Sequence, residues 1–508
     1  MTISSKVGIL AAGLAFGAAF GLHHAEAQTV LQPAPGDEPI ALGTTQAPIP
    51  DRLVIRGGIM ISGRGTPGTG RAAPPQGPMD IVIEDGRIVE LVLFDPVSAA
   101  AGKTERPTGD VIIDATGKYV LPGLFDLHSH IPGAGRGGEQ SLEYAFRLWL
   151  GHGVTTLRDA GAGAGLEKLV DWREAGERGE AVAPRLRLYK RWPNRGSVQD
   201  EGDTPEEARR LVRAYRERGA DGIKVSYGPG HYPDVLAAIT DEADKLGMDG
   251  VVVDLKVSET DARVASRAGV VSIEHWYGVP DAALPGSQSF PPSYNYFDEL
   301  ARFRYAGHLW QEAVQYPDRL RGVIEEMIAN GTAWVPTFEV YEANLDFMRA
   351  VTLPWRDRFA HPALLDYWRP RPDVHASYHT EWTTADEIAW KENYRHWMTW
   401  VYEFWAAGGL LGLGSDPGSL QALYGFGIIR ELELMQQAGI KPLDVIKVAT
   451  TNSAEIAGLG EELCGLREGC VADLIVVDGN PLENFKALYG AGYSHYGTGG
   501  GEGGGVVW

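Results

Sequence analysis

The chain has 508 residues, 46 Lys+Arg against 67 Asp+Glu and a formal net charge of −21. That length allows two or three domains, and an ordinary apolar fraction excludes global disorder. The acidic balance argues against nucleic acid and anionic membrane surfaces as partners.

The first residues read "MTISSKVGILAAGLAFGAAFGLHHAEAQ". Lys6 precedes an apolar run from Val7 to Leu22, followed by Ala25-Glu26-Ala27. This is the charged start, apolar middle and A-x-A site of a secretory signal peptide, 1–27, and it predicts an exported, periplasmic or secreted protein. The run is short and rich in Gly and Ala for a membrane span, so no membrane association is expected after cleavage.

The N-terminal part of a β-domain is assigned to 28–122, with a β pattern from about Arg52 to Val120. "RLVIRGGIMI" is a strand run, and "DIVIEDGRIVELV" alternates around Asp85-Gly86, a hairpin signal. Between them "SGRGTPGTGRAAPPQGP" reads as a loop. From 123 to 462 short apolar strands alternate with helical segments. Eight strands are read, in "LFDLHSH", "GVTTLRDAG", "LRLYK", "GADGIKVSYG", "GVVVDLKV", "VVSIEHW", "TAWVPTF" and "LLGLGSD". The class is therefore α/β, a (β/α)8 TIM-type barrel. Residues 341–405, rich in Trp, Tyr and His, predict a helical insertion over the barrel mouth, most of its aromatics serving to pack helices. From 463 to 490 the β pattern returns in a piece too short to fold alone, so it is expected to complete the N-terminal β-domain. Residues 491–508 read as a Gly-rich flexible tail. The two cysteines, Cys464 and Cys470, flank a tight turn; a disulfide and two free thiols both remain open.

In such a barrel, chemistry gathers at the C-terminal ends of the strands. The polar residues there are His128 and His130, Arg158 and Asp159, Lys224, Asp254, His275 and Asp416. His128 and His130 share one face of a strand, about 7 Å apart, so both imidazoles can converge on one ion. An aspartate inside "LLGLGSD" is costly unless paired, hydrogen-bonded or metal-bound. Tyr227, His231, Trp276 and Tyr277 follow strand ends and are candidate pocket residues.

Several segments together carry a resemblance: "GKYVLPGLFDLHSH", "GVTTLRDAG", "GADGIKVSY", "AGVVSIEHW", "WVPTF", "GLGSDPG", "AGIKPLDVIKVATTNSAEIAGL" and "GCVADLIVVDGNPL". They span about residues 52 to 484, and the sequence resembles the amidohydrolase superfamily in its imidazolonepropionase-like and prolidase-like branch. The resemblance implies a barrel flanked by a composite β-sandwich built from both termini. It implies one or two divalent metal ions, usually Zn2+. By analogy His128, His130 and Asp416 would hold the first, an N-carboxylated Lys224 would bridge, and His275 would hold the second. It further implies hydrolysis of a C–N bond, in an amide, cyclic amide or dipeptide-like small molecule, with Asp416 as the general base. The oligomeric state is left open. One position departs: where the family would place a histidine, this chain has Asp254. Four readings of Asp254 stay open: a ligand of the second metal, the mark of a site that keeps only the first metal or binds the second weakly, the mark of a pocket that binds without catalysis, or the partner of Lys256 or Lys224. An ester or lactone hydrolase using the same residues is a further alternative.

Overall fold

A computed structural model describes residues 50–133, 140–193, 202–226, 231–256, 260–285, 298–371 and 378–489. The signal peptide, the Gly-rich tail and Tyr227 lie outside the described residues.

The β pattern at the start forms β1 (Arg52–Met60), β2 (Gln76–Glu84), β3 (Arg87–Leu93), β4 (Val111–Asp114) and β5 (Tyr119–Pro122). The residues expected to make a composite sandwich form one six-stranded sheet. β1 pairs antiparallel with β2, and β2 with β3, around the Asp85-Gly86 turn. The other edge of β1 is shared: its first half pairs with β4 and its last residues with β5. The sixth strand comes from the far end of the chain. β13 (Leu474–Val477) runs antiparallel to β5, Leu474 opposite Pro122 and Val477 opposite Tyr119. Leu466, Leu474 and Val476 thereby join a core with Ile55, Met60, Ile81 and Ile88. The returning β pattern is thus part of the N-terminal sheet, as its length required. Beside it the Cys464 and Cys470 sulfurs are bonded.

The second sheet is parallel, in the order β6 (Leu124–Ser129), β7 (Val154–Gly161), β8 (Arg185–Arg191), β9 (Gly222–Val225), β10 (Gly250–Val253), β11 (Ser272–Glu274) and β12 (Ala333–Val335). Every residue of β6, β7 and β9 is buried, because helices cover one face and the barrel interior the other. Seven strands are regular; the expected eighth is not. The segment at 410–413 bridges the two edges without forming a regular strand. Trp334 donates its N–H to Leu410 and accepts from Gly412, and Leu127 donates to Leu413. The reason is its glycines. A Cβ at Gly412 would lie 2.6 Å from a Leu127 methyl, and one at Gly414 would lie 2.8 Å from His128 Cβ. The backbone closes the barrel by approaching β6 more closely than a side chain would permit.

Two long connections leave the barrel at the strand ends. Between β11 and β12 lie the helices Val279–Ala283, Glu299–Ala306, Leu309–Ala313 and Pro317–Ala329. After β12 come Phe338–Leu345 and further short helices, then the 23-residue helix Thr384–Ala406. Its N-terminus carries a capping box of Thr383 and Asp386. Trp390, Trp397 and Trp400 of that helix are buried, as are Trp355 and Trp368, so these rings pack the insertion. Among the described residues no helix is long and apolar enough to cross a membrane.

Candidate metal-binding active site

The strand ends converge on a cavity. Its lining includes His128, His130, Lys224, Asp254, His275 and Asp416, all expected from sequence. Of the pocket candidates, Tyr277 lines it. Trp276 does not: it is fully buried, stacked on Tyr277 at 4.1 Å and packed against Trp390 and Trp397, and so belongs to the core. His231 also lies outside the lining; it is buried and hydrogen-bonds the backbone of Asp254.

His128, His130 and Asp416 each offer one ligand atom, and the three atoms lie within 4.8 Å of one another. Asp416 Oδ1 is 3.1 Å from His130 Nε2 and 4.0 Å from His128 Nε2, and Asp416 Oδ2 is 3.9 Å from His275 Nε2. Across the cavity, Asp254 Oδ2 stands 3.8 Å from His275 Nε2 and 3.5 Å from Lys256 Nζ. Asp254 therefore faces both a histidine and a lysine. Its Oδ1 and Lys224 Nζ are buried without hydrogen-bond partners among the described residues.

Hydrogen bonds fix the imidazoles. His128 Nδ1 donates to Glu274 Oε2 at 2.5 Å, which leaves the Nε2 lone pair facing Asp416. His275 Nδ1 lies 2.6 Å from the Thr337 hydroxyl, whose own proton goes to the Pro336 carbonyl. That hydroxyl can then only accept, so His275 also presents a bare Nε2 to the cavity. Burial pushes His128 well below its ordinary pKa, the Lys224 charge adding to the effect, and burial lowers His275 too. Both rings are neutral at pH 7, the form that ligates. Burial also lowers Lys224, to about 8. Asp416 is different: burial opposes its charge, but the His130 hydrogen bond and the nearby histidines hold it well below the usual carboxylate range.

Glu274 was not singled out in the sequence. It is fully buried, accepts from Arg158 Nη2 at 2.7 Å and from Ser272 Oγ at 2.5 Å, and orients His128. Arg158 thus serves as its partner, and Asp159 accepts from the Ile131 N–H. Glu274 and His275 are neighbours, yet both point inward. His275 has φ 63°, which breaks strand alternation; Asp416 (50°), Thr337 (56°) and Lys256 (45°) share that strained left-handed region. Asp126 ties β6 to the closing segment, accepting from Ser415 N and Oγ at 3.0 and 2.7 Å and from Trp149 Nε1 at 3.0 Å. The lining also holds Arg191 at the end of β8 and Lys256 just after β10, and a far wall of Arg302, Phe303, Tyr341 and Tyr378, none of them proposed from sequence as a site residue.

Residues 401–493 match the family model described as "Amidohydrolase family". Over most of its length the chain superposes on a Xaa-Pro dipeptidase with bound methionine, at a TM-score of 0.58 and 20% identity, covering 86% of this chain and 96% of that one. The chain carries an amidohydrolase fold. A bottromycin amidohydrolase superposes equally well, with a TM-score of 0.58, 22% identity, and coverage of 88% of this chain and 86% of that one. In sequence, the chain is 34% identical over 110 residues to a D-hydantoinase of Streptomyces coelicolor, 21% of this chain and 20% of the relative. The amidohydrolase fold is therefore matched nearly end to end in structure, while the chain spans only about a fifth of that curated relative's length.

Proposed function

We propose that this protein is a metal-dependent hydrolase of C–N bonds, acting on amides, cyclic amides or dipeptide-like small molecules. One observation carries the reading: His128, His130 and Asp416 bring three ligand atoms within 4.8 Å at the C-terminal end of a parallel barrel. The relatives support it. They include a hydantoinase and a dipeptidase, both of which act on such bonds.

The residues present fit a divalent ion. His128 presents a bare Nε2, the ionised Asp416 carboxylate stands 4.0 Å from it and 3.1 Å from His130 Nε2, and Glu274 holds the His128 ring from behind. This nitrogen and oxygen donor set suits zinc. His275, Asp254 and Lys224 would hold a second ion. Among the described residues Asp254 Oδ1 and Lys224 Nζ are buried without hydrogen-bond partners; the first would ligate such an ion directly, the second only through a carboxylate added to it. Lys224 would contribute as a carbamate, formed when its neutral amine adds carbon dioxide and releases a proton; burial favours the neutral amine. Bound there, a divalent ion supplies Lewis acidity and makes water a better nucleophile near neutral pH.

The rest falls to this chain's own residues. Asp416, held ionised, accepts the proton of the attacking water and delivers it to the leaving nitrogen. His128 and His275 stay neutral and fixed in orientation through Glu274 and Thr337. Buried aromatic side chains at the mouth, Tyr341 and Phe303, exclude bulk water from the reacting bond. The apolar leader with its A-x-A site and the Cys464–Cys470 bond support an exported protein.

The test is a panel of dipeptides, N-acyl amino acids, cyclic amides, esters and lactones, assayed with zinc present. Turnover of amides by the wild type and its loss in His128→Ala, with the fold intact, is expected. Faster turnover of the esters would move the protein to the ester-hydrolase alternative. No turnover of any member would leave a binding protein.

A further inference from the structure

The far wall of the cavity is built by two segments outside the barrel strands. The helix Glu299–Ala306 contributes Arg302 and Phe303, and the connection after β12 contributes Tyr341 and Tyr378. The two are locked together. Phe303 stacks on Tyr378 at 3.6 Å and on Tyr341 at 5.8 Å. Its carbonyl accepts from Trp390 Nε1 at 2.8 Å, and Arg304 Nη2 donates to the Glu381 carbonyl at 2.9 Å. Arg302 is therefore held by a fixed helix, 1% exposed, with its side chain on the cavity.

The charge balance of the cavity runs opposite to that of the chain. Its described lining holds Arg191, Lys224, Lys256 and Arg302 against Asp254 and Asp416, within a protein of net charge −21. Any divalent ion adds to this excess, and so offsets a carbamate on Lys224. Lys256 is already engaged by Asp254 at 3.5 Å. Arg302 comes from a helix outside the barrel strands, and its charge acts on the Asp254 carboxyl. A guanidinium has five N–H donors in a planar fork, so a partner within the protein leaves donors for a carboxylate.

We propose that Arg302 selects the substrate: it receives a carboxylate carried at the end remote from the scissile bond, beside the aromatic wall of Phe303, Tyr341 and Tyr378. The inference rests on the hydrolase reading of the same cavity and narrows its substrates to anions with an apolar or aromatic body.

Binding separates the inference from catalysis. The probes are 3-(4-acetamidophenyl)propanoate, whose carboxylate lies across an aromatic ring from its amide bond, and its neutral counterpart 3-(4-acetamidophenyl)propanamide, titrated calorimetrically into the metal-loaded protein. The acid is expected to bind about tenfold or more tightly than the amide, as for a desolvated, hydrogen-bonded charge pair. Arg302→Met removes that preference and leaves the amide unaffected, and Arg302→Lys, which keeps the charge but loses the fork, reduces it. If Arg302→Met fails to fold, the wild type and Arg302→Lys decide. Equal affinity for acid and amide, no binding of either at millimolar concentration, or a preference unchanged in Arg302→Lys would each overturn the proposal. A preserved preference with no hydrolysis across the panel would instead remove the hydrolase reading and leave the anion site standing. Hydrolysis of neutral and anionic amides at equal kcat/KM would do the reverse.

Discussion

The two walls of the cavity are built differently. The inner wall comes from strand ends. His128 and His130 stand at the end of β6, Lys224 on β9, Asp254 just after β10, His275 just after β11 and Asp416 just after the closing segment, and buried hydrogen bonds fix His128 and His275. The outer wall comes from inserted helices, whose Arg302, Phe303, Tyr341 and Tyr378 are held by aromatic stacking and by hydrogen bonds between the insertions. A barrel can therefore keep its reaction on the inner wall and change its substrate on the outer one. Substitutions inside should reduce turnover, and substitutions outside should change which substrate is bound.

The largest effect is expected at Asp416. Asp416→Asn keeps the shape but cannot take a proton, so kcat should fall about 10²- to 10⁴-fold with the melting temperature little changed. Equal kcat in steady-state assays would break the comparison at its inner wall. Glu274→Gln removes the acceptor that orients His128; zinc affinity should drop about 10- to 100-fold by competition with a chelator. Acid should act on stability through groups outside the metal cluster. Burial lowers His152 and His231 to about 4, below the ordinary histidine value. The unfolded chain then binds more protons between about pH 6.5 and 4, so stability falls as pH drops through that window and levels off below it. Denaturant titrations should show a loss of about 3 kcal/mol from each buried ring, and His152→Gln should flatten the curve. The smallest effect lies far from both walls. Reducing Cys464–Cys470 opens a loop with a sequence separation of 6 and should cost about 2 kcal/mol, read as a lower denaturation midpoint, with turnover unchanged.

The inner wall was legible in the sequence for a physical reason. A strand in a parallel barrel is apolar throughout, so a His, Asp or Lys at its end stands out, as in "LFDLHSH" and "LLGLGSD". The eighth strand was legible as a segment but not as an irregular one, because its glycines answer to the close approach of Leu127 and His128, contacts made only in three dimensions. Glu274 stayed hidden beside His275. Strand alternation assigns neighbours to opposite faces, and only the positive φ of His275 turns both inward. Arg302 and Phe303 stayed hidden because nothing in "ELARFRYA" marks one helical residue as facing a cavity made by strands far away in sequence. Trp276 misled for the converse reason: it follows a strand end, but its ring fills the aromatic core behind the cavity.

The account stands on the convergence of His128, His130 and Asp416 on a divalent ion. Elemental analysis of protein purified without chelators tests this most directly. One to two equivalents of zinc or a similar ion per chain are expected, falling to background in a folded His128→Ala/Asp416→Ala double variant. A wild-type protein that holds no stoichiometric metal, or a double variant that holds as much as the wild type, would contradict it.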